Sequence, residues 1–199
     1  MLLVLVSVGK VVYLVRHAER MDFNSEGEWD NKWPARAIEM GLDPTDAPLT
    51  EQGIIQAAQA AIKIREEPKK VFTSPFLRCA QTAEIIASEF GVELKISTDL
   101  TEWMNVEWFW ACYKHLEHIH FTGNKAHFLL ERPIFPESEE AYTKRAARIL
   151  DALKSMDQEK FPLVIVSHGG GIHNILEHHD SSIMMGKKVE YADVFRIEL

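Results

Sequence analysis

The sequence predicts an α/β protein built on a largely parallel sheet. Two observations carry that prediction. Val11-Val12-Tyr13-Leu14-Val15 and Leu163-Val164-Ile165-Val166 are unbroken apolar runs, rich in β-branched residues; such runs suit strands covered on both faces. Between them, shorter strand-like runs alternate with amphipathic helical patterns, which is the order of βαβ units.

Taken in order, the first run breaks at Arg16, and Met21 to Pro48 reads as a long loop with two tryptophans. Loops of that length in compact domains are often functional. Thr50 caps a helix running to about Glu66, with Ile54, Ala58, Ala61, Ile62 and Arg65 on one side and Pro68 beyond it. Val71-Phe72-Thr73 is a short strand. Ser74-Pro75 reads as an N-cap followed by proline at the first helical position. Phe76, Cys79, Ala83, Ile86 and Phe90 mark the buried face of that helix, which stops at Gly91. Val92 to Ile96 is a further strand. Trp103 to Phe121 reads as partly helical, and Gly123 to Pro136 as irregular. Ser138 opens a helix with Tyr142, Ala146, Ile149 and Leu153 on its face. After the second long strand come a glycine loop at 169–171, a short helix over 172–178, and a last strand over 193–198. The pattern has no repeat and no linker, so residues 1–199 read as one domain, with 1–10 as a leader or extra strand.

Composition excludes some functions. The net charge of -8 argues against a nucleic-acid partner. Any anionic substrate must then be drawn by a local positive pocket. Two cysteines, no CxxC and no Asn-x-Ser/Thr site suit a reducing, cytoplasmic setting. No apolar run reaches the roughly 18 residues of a membrane span, so no membrane partner is expected. A homodimer is compatible with the sequence.

The chemistry lies where strands end. Arg16-His17 leaves the first long strand, and His168-Gly169 leaves the second. In open α/β sheets, ligands bind at the carboxyl ends of strands. A neutral imidazole can attack phosphorus and form a covalent intermediate. Arginine can grip two phosphate oxygens at once. Arg78 lies in the first turn of a helix, where backbone N–H groups also favour an anion. Glu102, just past another strand, is a carboxyl group suited to protonating a leaving oxygen. Arg20, Asn24, Ser74, Gly169 and Trp103 are candidate substrate contacts. His115, His118 and His120 fit no metal spacing, so no metal and no cofactor is expected. Cys79 and Cys112 lack the arginine six residues on that cysteine phosphatase chemistry needs; Cys79 reads as a buried helix residue.

Four segments carry a resemblance: Leu14-Val15-Arg16-His17-Ala18-Glu19, Leu49-Thr50-Glu51-Gln52-Gly53, Ser74-Pro75-Phe76-Leu77-Arg78-Cys79-Ala80-Gln81-Thr82-Ala83 and Val166-Ser167-His168-Gly169-Gly170. In this order they resemble the motifs of the histidine phosphatase, or phosphoglycerate mutase-like, superfamily over roughly residues 11 to 175. The resemblance implies a three-layer α/β/α fold with a mixed, mostly parallel sheet. It implies His17 as the phosphorylated nucleophile, Arg16, Arg78 and His168 as the phosphate pocket, and Glu102 as proton donor. Pro136-Glu137-Ser138 resembles a family element near the substrate mouth. Leu77 to Ala83 and Glu102-Trp103 are most similar to the phosphatase domain of the suppressor-of-T-cell-receptor-signalling proteins, which implies a phosphotyrosyl protein or a small phosphoester as substrate. Ala18 replaces the usual glycine, Arg20 replaces the serine of the mutase pattern, and Asn24 falls one position late. These departures speak against sugar-phosphate recognition of the mutase kind; a phosphoglycerate mutase or a fructose-bisphosphatase-like enzyme is the alternative enzymatic reading. A non-catalytic phosphate-recognising scaffold is the third.

Overall fold

The structure is a computed structural model that describes residues 9–23, 26–109 and 135–199. Its centre is a five-stranded sheet of β1 (Val11–Arg16), β2 (Lys70–Thr73), β3 (Glu93–Ile96), β4 (Leu163–Ser167) and β5 (Val194–Glu198). The spatial order is β3-β2-β4-β1-β5. β1, β2, β3 and β4 pair in parallel, and β5 lies antiparallel against β1. The sheet is therefore mixed and mostly parallel, as the sequence predicts.

Alternation along the strands assigns the two faces, because successive side chains point to opposite sides of a sheet. Val11, Tyr13 and Val15 pack with the helices α2 (Glu51–Lys63) and α3 (Leu77–Phe90). Val12 and Leu14 pack with α5 (Glu139–Ser155) and α6 (Gly169–His179) on the other face. The sheet thus lies between two helical layers. Two further helices are α1 (Trp33–Glu39), which precedes α2, and the short α4 (Val106–Phe109), which lies between α3 and α5 in sequence.

Several elements differ from their expected form. The segment 21–48 is not all loop. It holds α1, with Pro34 in its first turn and Trp33 fully buried against Ala37 and Ala47. α2 buries Gly53, Ala57, Ala60 and Ala61 rather than its isoleucines; Ile54 and Ile62 are exposed. Small residues there allow close approach of α2 to its neighbours. A Cβ on Gly53 would lie 2.3 Å from the carbonyl oxygen of Glu19. α3 starts at Leu77, with Phe76 at its N-cap position. Ser74 lies two residues too early to cap it; its hydroxyl meets His168 and accepts the Phe76 N–H, and Asp46 Oδ1 accepts the Leu77 N–H at 2.7 Å. The glycines 169–171 belong to α6, whose N-cap position is His168. Gly91 closes α3 in the left-handed region at φ 63°, as predicted.

Among the described residues, no helix is long and apolar enough to cross a membrane. Trp110, Cys112, the histidines at 115, 118 and 120, and the irregular segment from Gly123 up to residue 134 lie outside the described residues, as do residues 1–8 and Asn24.

Candidate active site

Register places the two histidines side by side. β1 and β4 pair with Arg16 opposite Ser167. The next residues, His17 and His168, therefore leave the same sheet edge together. The His17 N–H donates to the Ser167 carbonyl at 2.9 Å, and the two rings meet edge to face, centroids 5.4 Å apart. β2 ends beside them, so that Ser74 Oγ lies 2.9 Å from His168 Nε2.

The His17 ring is oriented by its own neighbour. Nδ1 lies 2.9 Å from the Ala18 carbonyl oxygen. A carbonyl only accepts, so Nδ1 holds the proton and the Nε2 lone pair is free. Burial, and then the charges of Arg78, Arg20 and Arg16, hold the His17 pKa well below its ordinary value. The imidazole is neutral at neutral pH, which a nucleophile requires. His168 is fully buried, and burial and then Arg78 hold it low as well. Its Nδ1 lies 3.2 Å from Arg78 Nη2, a group that only donates. Neutral His168 then carries its proton on Nε2 and donates to Ser74.

The arginines flank His17. Arg16 Nη1 donates to the Val189 carbonyl at 2.7 Å, and its guanidinium lies 4.2 Å from the Tyr191 ring centroid. Arg78, from the first turn of α3, is 1 % exposed and packs over the Phe76 ring at 4.4 Å. Asp46 Oδ1 is 3.9 Å from Arg78 Nη1. Burial pushes the Asp46 carboxyl up to about 6, against the pull of Arg78 and the Leu77 N–H. Arg16 Nε, Arg78 Nε and Arg78 Nη1 are buried and have no hydrogen-bond partner among the described residues. Buried donors left unpaired cost about 1–3 kcal/mol each, a cost that an anion between the two side chains would remove.

Glu102 completes the group. Its Oε2 is 3.6 Å from His168 Nδ1. Its Oε1 accepts from the Tyr142 hydroxyl at 2.9 Å and from the Trp103 N–H at 3.0 Å. Arg145, almost wholly buried, holds this loop by donating to the carbonyls of Asp99, Thr101 and Glu102 and to both oxygens of Glu137.

A cavity of about 720 Å³ opens over these groups. Arg16, His17, Arg20, Arg78 and Glu102 line it, together with Phe23, Trp29, Trp108 and Tyr191. Four candidate residues are absent from its lining. His168 lies behind Arg78 and His17. Ser74 is buried beneath His168. Gly169 lies under Arg16, where a Cβ would come within 3.3 Å of Nε. Trp103 stacks on Tyr142, ring planes 12° apart, and gives its indole N–H to the Glu137 carbonyl. The tryptophans at the cavity are Trp29 and Trp108, both exposed, rather than Trp103. Arg20 does reach the cavity, but both its Nε and Nη2 bond to the buried Asp22. Cys79 is fully buried and its thiol is pushed up to about 12, so it is no nucleophile. Among the described residues, no three His, Cys, Asp or Glu side chains are grouped to hold a metal ion.

Asp46, Tyr142, Arg145 and Tyr191 have no place among the sequence-predicted site residues. For Asp46 a signal existed, since Asp46-Ala47-Pro48 immediately precedes the Leu49-Thr50 motif. Tyr191 has none.

A buried arginine, Arg78, and a half-buried one, Arg16, beside a neutral, oriented histidine at the carboxyl edge of a mixed sheet define a phosphate-directed α/β site. The model of the histidine phosphatase superfamily (branch 1) matches residues 12–191. The chain belongs to that superfamily. Among curated proteins it is 30% identical to the human ubiquitin-associated and SH3 domain-containing protein A, over 80% of this chain and 29% of that protein. It is 29% identical to the transcription factor tau 55 kDa subunit of Saccharomyces cerevisiae, over 48% of this chain and 21% of that protein. The chain thus spans less than a third of the length of these two relatives. Its fold is similar to that of the Bombyx mori ecdysone phosphate phosphatase solved with tungstate, with a TM-score of 0.61 at 16% identity, covering 96% of this chain and 89% of that one. It is also similar to a putative alpha-ribazole-5'-P phosphatase of Escherichia coli, with a TM-score of 0.62 at 18% identity, covering 96% and 91%.

Proposed function

We propose that the chain is a metal-independent phosphomonoesterase working through a phosphohistidine on His17. The observation that carries this reading is the set of buried N–H groups of Arg16 and Arg78 that have no hydrogen-bond partner among the described residues, beside an imidazole whose Nδ1 is oriented by the Ala18 carbonyl so that Nε2 carries the lone pair.

His17 Nε2 attacks phosphorus, and the bond from phosphorus to the ester oxygen breaks. The electron pair leaves with that oxygen, which takes a proton from Glu102. Arg16 and Arg78 hold the equatorial oxygens, where the transition state spreads its charge. His168 supports them from behind. Water then gives a proton back to Glu102 and attacks phosphorus. The N–P bond breaks, its electron pair returns to Nε2, and inorganic phosphate departs.

The cavity walls bear on the substrate. Phe23, Trp29, Trp108 and Tyr191 offer rings to a leaving group, Glu107 adds negative charge, Lys188 is matched by Glu190, and Arg20 is matched by Asp22. This lining favours a flat or apolar alcohol, such as a phosphotyrosyl side chain or a small aryl phosphoester, over a sugar acid with a second anionic group. A phosphoester panel tests it. We expect kcat/KM to be higher for phenyl phosphate and phosphotyrosine than for 3-phosphoglycerate. The reverse order, or formation of 2-phosphoglycerate with a bisphosphate primer, would favour a mutase.

A further inference from the structure

We infer that Tyr142 is a positioning residue that selects which oxygen of Glu102 delivers the proton. This inference rests on the proposed acid role of Glu102.

The argument begins with the two oxygens. Oε1 accepts two hydrogen bonds, from the Tyr142 hydroxyl at 2.9 Å and the Trp103 N–H at 3.0 Å. A carboxyl oxygen has two lone pairs in the carboxyl plane, so Oε1 is filled. A proton on this carboxyl group then resides on Oε2. That oxygen lies 3.6 Å from His168 Nδ1, on a carboxyl group that lines the cavity together with His17 and Arg78. Without the tyrosine hydroxyl, Oε1 would have an open lone pair, and the carboxyl group could carry its proton on either side.

The surroundings of Tyr142 are built for this contact. Its ring is 6 % exposed, stacks on Trp103, and lies under the Arg145 guanidinium at 4.9 Å. The hydroxyl end fits against the first turn of α6. A Cβ on Gly170 would approach the Tyr142 oxygen to 3.0 Å, and one on Gly171 to 3.3 Å. Those glycines therefore make room for the hydroxyl as well as opening the helix. Burial, and then the Glu102 charge, push the phenol well above its ordinary pKa. Tyr142 stays protonated and can only donate to the carboxylate. Trp103, placed by its indole bond to Glu137, is the second fixed donor.

Leaving-group dependence separates this role from a structural one. A good leaving group such as dinitrophenolate departs without a proton, whereas an alkoxide needs one. The experiment measures kcat/KM for wild type, Tyr142→Phe and Glu102→Gln across dinitrophenyl, nitrophenyl, phenyl and alkyl phosphates, with Tm measured for each. Glu102→Gln is expected to lose about 10²-fold or more on the alkyl ester and little on the dinitrophenyl ester. Tyr142→Phe keeps the ring packing and is expected to follow the same slope, losing about tenfold on the alkyl ester. If Glu102→Gln shows the slope but Tyr142→Phe loses activity equally on all substrates, or not at all, the inference is overturned and the acid role stands. If Glu102→Gln shows no slope, the acid role fails and the inference falls with it.

Discussion

Arg145 grips Glu137 through two nitrogens, Nε to Oε1 at 2.9 Å and Nη2 to Oε2 at 2.8 Å, in a pair with both side chains 4 % exposed. The remaining guanidinium donors reach the carbonyls of Asp99, Thr101 and Glu102. One side chain of α5 thus fixes the loop that presents the acid. Removing one partner of a buried pair leaves the other unpaired at a cost of about 3–5 kcal/mol. Arg145→Ala is expected to lose that much stability in urea unfolding. Arg145→Lys should recover only part of it, because an ammonium lacks the planar fork.

Gly53 allows α2 to meet the segment after β1. Its amide donates to Thr50 Oγ at 2.8 Å, and Thr50 Oγ donates to Glu19 Oε1 at 2.7 Å. With a Cβ 2.3 Å from the Glu19 carbonyl oxygen, Gly53→Ala must shift backbone, not a flexible side chain. Overpacking of this kind costs about 1–3 kcal/mol. We expect a lower Tm and, because Glu19 follows the His17 turn, a loss of turnover. An unchanged Tm would show that α2 can slide.

The two buried histidines set an acid limit to stability. Both have pKa values held well below 6.5 in the fold. In the unfolded chain they titrate near their ordinary value. Below about pH 6.5 the unfolded state therefore binds more protons, and stability falls as pH drops. Above that value their contribution no longer changes. Unfolding free energy measured from pH 8 to pH 5 should decline on the acid side. The double variant His17→Asn, His168→Asn should flatten that decline.

The same groups couple to phosphate. Burial and the positive charge of Arg78 keep both imidazoles neutral, and a bound dianion offsets that charge. Binding of an oxyanion that is a dianion throughout, such as sulfate, should raise the histidine pKa values and take up protons from solution. Calorimetric titration with sulfate at pH 6.5, in buffers of different ionisation enthalpy, reads this uptake as a slope free of the ligand's own ionisation. Zero slope would contradict it.

Much of the site was legible because buried strands leave a strong mark. The apolar runs at 11–15 and 163–166 end abruptly in Arg16-His17 and Ser167-His168, and parallel register alone makes those ends neighbours. Helix faces were less legible. In α2 the isoleucines drew the eye, yet alanines and Gly53 form the contact, because close approach selects small side chains over apolar ones. In 169–171 a glycine run reads as a loop, yet these glycines start α6 and give space to Tyr142 and Ser167. α1 was hidden in a segment of loop-like composition, with Pro34 after Trp33 as its one start signal. Tyr142 reads as part of a helix face, since its partner Glu102 lies 40 residues away in sequence, and the carbonyls that Arg145 holds are as distant.

The phosphohistidine on His17 is the centre of the account. The measurement is rapid mixing with an ester labelled in its phosphate, quenching in alkali and detergent, and mapping of the labelled peptide. The label should sit on the peptide carrying His17, survive alkali, be lost in acid, and be missing from His17→Ala, which should also lack turnover. No trapped label, or a His17→Ala variant that hydrolyses phenyl phosphate at the wild-type rate, would contradict it.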